Sequence, residues 1–122
     1  MNDIIRIRIH DLDWSVQFVP GSDPRLNPGP EEEYFGLTVF ASLHILIRRD
    51  LPAGLQLRTL RHELTHAALF SFGLNGGGLD EEGVCNFVEC HGEEICDLAQ
   101  QLQQGQSCAL ADGEIRLIHP VS

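Results

Sequence analysis

At 122 residues the chain has the length of one compact domain, 1–122, and its 43% hydrophobic content is ordinary for a globular protein. A net charge of −10 argues against nucleic acid and anionic membrane surfaces as partners, because phosphate contacts need Lys and Arg. No apolar stretch approaches the roughly 20 residues that span a bilayer, and the N-terminus lacks a signal-peptide core, so a cytoplasmic location is expected.

Ile5, Ile7 and Ile9 alternate with Arg6, Arg8 and His10, the period-two pattern of a strand with one wet face. Asp11-Leu12-Asp13 reads as a turn. Trp14, Val16 and Phe18 then alternate with Ser15, Gln17 and Val19, which predicts the second strand of a hairpin. Residues 20–33 carry four of the six prolines and the run Glu31-Glu32-Glu33. They predict a solvated connector, with a lid over a substrate groove as the sharper alternative. Residues 34–49 are β-branched and aromatic and predict two strands that break near Ala41-Ser42. After a turn at 50–54, a helix is expected from about Leu55 to Leu57 onward, with Gly73 as its stop. The glycine run at 76–78 must reverse the chain, but it lacks the Lys-Ser/Thr of a phosphate loop, so nucleotide binding is dismissed.

Asp80 has the character of an N-cap, with Glu81 and Glu82 in the first turn of a helix running to about Gln104. Its expected apolar stripe is Val84, Phe87, Val88, Ile95 and Leu98. His91 lies on the same stripe and reads as a core histidine. Residues 114–118 alternate again and predict a last strand. The four cysteines, Cys85, Cys90, Cys96 and Cys108, form no C-x-x-C pair, so they are expected to be reduced and partly buried. A second metal site at Cys90, His91 and Cys96 is the weaker reading.

The first of these two helices contains Thr59-Leu60-Arg61-His62-Glu63-Leu64-Thr65-His66, an His-Glu-x-x-His motif. Residues four apart on a helix lie roughly 40° apart, so His62 and His66 can aim both imidazoles at one point. Two neutral imidazoles suit Zn²⁺, and Glu63 can stand beside the ion and take a proton from its water. A plain structural helix, with the histidines on its surface or buried as a pair, is the weaker reading of the same motif. Residues 57–72 have no proline and no glycine, and Leu60, Leu64, Ala67, Ala68 and Leu69 supply one buried side.

A catalytic zinc usually has three protein ligands, so an acid from the next helix is needed. Glu81 and Glu82 point about 100° apart, and only one can serve. Glu82 shares a face with Asn86, a polar partner able to orient a ligand histidine, and is the choice; Glu81 is the alternative. His44, on a strand before the helix, could approach the groove, although ordinary strand polarity accounts for it.

These residues, together with Glu81-Glu82-Gly83-Val84-Cys85-Asn86-Phe87-Val88, resemble small zinc metallopeptidases of phages and bacterial mobile elements. Such proteins are minimal zincins on the glutamate-ligand (gluzincin) branch, and the chain is also similar to ImmA/IrrE-type peptidases that cleave phage repressors. The resemblance covers about residues 34–98. It implies an α+β, zincin-like fold in which a small twisted mixed sheet packs on the HExxH helix and a second long helix. It further implies zinc held by His62, His66 and Glu82, with Glu63 as general base and acid. The substrate would be a peptide or a repressor-like protein, lying extended along an edge strand at about 43–47. Larger gluzincins add a Tyr or His from a further subdomain to steady the intermediate; Tyr34, the single tyrosine here, has no matched position. The expected activity is zinc-dependent peptide hydrolysis. The alternative is a zinc-binding regulatory or interaction module of a phage or mobile element that holds a partner without cutting it.

Overall fold

Strict alternation builds the first two strands. In the computed structural model, which describes residues 4–105 and the backbone of 115–118, β1 (Ile4–Ile9) sends Ile5, Ile7 and Ile9 to one face and Arg6 and Arg8 to the other. β2 (Leu12–Val19) pairs with it antiparallel, Ile9 opposite Leu12, so Trp14, Val16 and Phe18 join the same apolar face. The turn is therefore His10-Asp11, not the expected Asp11-Leu12-Asp13. His10 takes a φ of +56°, the left-handed conformation that tight hairpins demand at their first turn position. Asp13 stays in the ladder and accepts two hydrogen bonds from the Arg8 guanidinium opposite, at 2.9 and 3.0 Å.

β3 (Gly36–Val39) and β4 (His44–Arg48) form the expected second antiparallel pair. β4 then runs parallel to β2, and β5 (Ile115–Ile118) runs parallel to β1. The strand order is β3-β4-β2-β1-β5. This corrects one expectation: residues 43–47 are not a sheet edge, because β4 is hydrogen-bonded on both sides, and the edge strand beside the histidine-bearing helix is β3.

Residues 20–33 are neither a lid nor a plain solvated connector. A short 3-10 helix, Pro24–Leu26, is started by Asp23, whose Oδ1 accepts the Arg25 amide at 2.9 Å. It drops Leu26, fully buried, onto the outer face of the sheet against Val19 and Leu46, with Leu37 alongside. Arg48 ties the end of the segment down through ion pairs with Glu33 and Asp50.

Two helices cover the other face of the sheet. α1 (Ala53–Ser71) begins a turn earlier than expected, because Pro52 takes the N-cap position and its carbonyl accepts the Gln56 amide at 2.8 Å. The helix stops where Gly73 turns to a φ of +75°. α2 (Glu81–Gly105) begins as expected, with Asp80 Oδ1 accepting the Gly83 amide at 2.8 Å. The two helices run antiparallel, since Gln103 near the end of α2 donates to the Ala53 carbonyl at the start of α1.

The core joins the isoleucines of β1, Trp14, Val16, Phe18, Ile45 and Ile47 to Leu60, Leu64, Ala67 and Ala68 of α1 and Phe87, Ile95, Leu98, Ala99 and Leu102 of α2. Each large side chain fully buried there contributes about 1.5–3 kcal/mol. Trp14 also donates its indole N–H to Ser71 Oγ at 2.8 Å, which fixes the end of α1 to the sheet. His91 is a core residue, stacked on Phe72 at 4.4 Å. Val84 and Val88 depart from expectation, at 48% and 58% exposed. Both line an open apolar groove between α1 and α2, together with Leu69, Leu79 and Phe87, and nothing among the described residues fills it. No helix among the described residues is long and apolar enough to cross a membrane.

Candidate metal centre

The 100° step of α1 sorts the motif onto two faces. Leu60, Leu64, Ala67 and Ala68 enter the core, whereas His62 and His66 stay exposed one turn apart. Their Nε2 atoms lie 3.2 Å from each other. A tetrahedral zinc with Zn–N bonds of about 2.0–2.1 Å would set two nitrogens about 3.3–3.4 Å apart. The pair therefore has the bite of a zinc chelate. Phe40, just after β3, meets the His66 ring edge-on, with ring centroids 6.5 Å apart.

Glu63 lies one step round from His62 and is 7% exposed, turned toward β3. Thr38 Oγ1 donates to Glu63 Oε1 at 2.6 Å and also reaches the Glu63 carbonyl at 3.3 Å. Gly36 permits this approach. A Cβ there would stand 2.7 Å from Thr59 Cγ2 and 2.9 Å from Glu63 Cγ, closer than packed side chains tolerate.

The contact of Gly36 with Glu63 divides the space between β3 and α1 into two lobes. The lobe on the His66 side, about 250 Å³, is lined by Tyr34, Leu37, Thr38, Phe40 and Glu63. The lobe on the His62 side, about 440 Å³, is lined by Glu33, Tyr34, Phe35, Leu55, Arg58 and Glu63. Tyr34 and Glu63 belong to both. The Tyr34 hydroxyl donates to Glu32 Oε2 at 3.3 Å. That carboxylate's charge raises the phenol above its ordinary value.

The structure does not bring Glu82 to the histidines. Glu82 and Glu81 are both exposed in the first turn of α2, where the helix dipole and water stabilise their charge. Among the described residues no group of three His, Cys, Asp or Glu side chains is placed to hold a metal ion, and this covers Cys90, His91 and Cys96. The two imidazoles thus meet at 3.2 Å without a third such side chain beside them among the described residues. Asn86 is likewise exposed on α2.

His44 is on the far side of the sheet, where its Nε2 meets Gln17 Oε1 at 3.1 Å, so it does not approach the groove. Cys85, Cys90 and Cys96 are free thiols, but Cys85 and Cys96 are exposed rather than partly buried. Cys108 and His119 lie outside the described residues.

Thr38 and Gly36 are the site residues that sequence reasoning missed. Both carry a faint signal. They occupy the inward phase of β3, where an apolar side chain would be expected, and one is polar while the other has no side chain. No family model, no curated protein and no solved structure matches this chain.

Proposed function

We propose that this protein is a zinc-dependent metallopeptidase, a minimal zincin of the gluzincin type found in phages and mobile elements. One observation carries the reading: an imidazole pair with a zinc-sized bite adjoins a carboxylate anchored by the free edge strand. His62 and His66 would hold the ion, and Glu82 is the acid proposed to complete its shell. Bound zinc would polarise the scissile carbonyl and bring the pKa of its water toward about 7. Glu63 would serve as general base and acid, accepting a proton from the attacking water and returning it to the leaving amine nitrogen. Thr38 holds Glu63 Oε1 in one orientation throughout, so little reorganisation is needed during proton transfer. The edge of β3 offers unpaired backbone groups along which an extended peptide can add as a further strand, and this replaces 43–47 as the substrate path. A repressor-like protein presenting an exposed loop is the kind of substrate this suits.

The test is metal analysis of the purified protein together with mass-spectrometric mapping of cuts in a peptide library. Zinc near one per chain is expected in both wild type and Glu63→Gln, with cuts made only by wild type. Cutting at the wild-type rate by Glu63→Gln would remove Glu63 from its role, and metal-free protein would remove the hydrolase altogether.

A second reading, a zinc-binding interaction module with little turnover, draws support from Glu81 and Glu82 forming no three-donor group with the pair. Its sign would be tight binding of a protein partner that survives Glu63→Gln without any cutting.

A further inference from the structure

The positive charge of this acidic molecule is not spread evenly. The chain has no lysine, and its described arginines are mostly engaged: Arg8 with Asp13, Arg25 with Asp23, Arg48 with Glu33 and Asp50, and Arg49 with the Phe18 carbonyl. Arg6 is solvated on the far face of the sheet. Arg58 and Arg61 remain, and no carboxylate among the described residues pairs with either. Both precede the two histidines on α1, Arg58 one turn before His62 and Arg61 next to it. Arg58, Arg61, His62, Thr65, His66 and Leu69 together line an open trough of about 390 Å³. Arg58 also lines the lobe between α1 and β3 on the His62 side, so it joins the trough to the cleft assigned to the peptide. Arg61 is held in place by packing, with its Nε buried and without a hydrogen-bond partner. The buried Nε fixes the root of the guanidinium, and the side chain still lines the open trough, where its terminal N–H groups are the ones an anion would meet.

We propose that Arg58 and Arg61 form a carboxylate-recognition subsite, so that the preferred peptide carries a carboxylate next to the segment lying over the histidine pair. This rests on the peptide-binding reading of the site and names the substrate class it favours. A molecule of charge −10 repels acidic peptides at long range, and two guanidinium groups without a carboxylate partner supply local positive charge beside a cleft that Glu33 and Glu63 also line. The guanidinium fork matches a carboxylate with two parallel N–H···O bonds, which a solvated point charge would not do. The carboxylate has two sources, an acidic side chain within the peptide or the peptide's own C-terminus. Both present the same chemistry to the two arginines.

The experiment measures binding without cleavage, using the full-length Glu63→Gln protein and fluorescent peptides of one sequence. One set replaces Glu by Gln at successive positions, and another compares a free C-terminus with a C-terminal amide. We expect the acidic or free-carboxylate member to bind about tenfold more tightly, with the difference shrinking at high salt. Arg58→Gln, an exposed position, should abolish the preference, and Arg61→Gln should reduce it. Loss of the Glu/Gln difference assigns the side-chain source; loss of the acid/amide difference assigns the terminus. Equal affinity within both sets overturns the proposal. So does a preference that both arginine variants retain, because the carboxylate would then be held by something other than these side chains. Failure of the wild-type protein to cleave any peptide would count against hydrolysis but leave this result readable.

Discussion

Glu63 shows how one side chain is made ready by its neighbours. A carboxylate at 7% exposure needs a donor, and Thr38 supplies one at 2.6 Å across the gap from β3 to α1. Thr38→Val keeps the shape and removes the hydroxyl, leaving Glu63 Oε1 without its partner. The stability cost should be about 1–3 kcal/mol in a denaturant titration. If the hydrolase reading holds, kcat should fall by about 10- to 100-fold with KM little changed, since the loss is one of positioning rather than binding. Thr38→Ser should restore much of both. An unchanged unfolding midpoint in Thr38→Val would mean that the hydrogen bond is immaterial. Gly36 works with Thr38, because only a residue without a Cβ lets the strand lie against Thr59 and Glu63.

Among the elements, the relation of α2 to α1 decides whether a metal can be fully held. The buried stripe of α2 docks on α1 and the sheet from Phe87 onward, while its opening turn carries Glu81 and Glu82 into solvent. The connection from α1 includes Gly73, Gly77 and Gly78, all at positive φ, with nothing packed near their α-carbons. A joint of this kind can be repositioned at little steric cost. Competition titration with zinc tests the ligand choice. Glu82→Gln is expected to weaken zinc binding by at least about tenfold, and Glu81→Gln to leave it unchanged. The same titration followed by thermal unfolding should show wild type stabilised by about 2.7 kcal/mol at a free zinc concentration of 100 Kd, and His62→Ala not stabilised. Wild-type affinity in both glutamate variants would place the third donor elsewhere.

At the scale of the whole molecule, the sheet separates two environments. One face carries the main core and the histidine helix. The other carries a smaller cluster of Val19, Leu26 and Leu46, with His44 close by on the same face. Burial first, and the charge of Arg25 second, hold His44 below its ordinary value of 6.5. The unfolded chain therefore binds this proton more readily than the folded one. The stability that neutral His44 contributes is complete above 6.5 and is lost as pH falls from there through the folded pKa. The urea midpoint should drop as pH falls below about 6.5 in wild type, and less steeply in His44→Gln. Parallel curves for the two proteins would show that His44 is not the group responsible.

Local periodicity by itself determined a good part of this protein. The isoleucine alternation marked β1, the break near Ala41-Ser42 separated β3 from β4, Gly73 and Asp80 bounded the helices, and the spacing of His62 and His66 set their common face. Each of these depends on the geometry of a single strand, turn or helix, which a few neighbouring residues dictate. Four matters were decided only when the elements packed. They are which strand became the free edge, where Leu26 inserted, which hydroxyl met Glu63, and how far Glu82 stands from the histidines. Those outcomes depend on contacts between residues distant in the chain, such as Thr38 with Glu63 and Trp14 with Ser71. Spacing along one element carries no record of which partner it will meet, because packing energy is summed over the whole core.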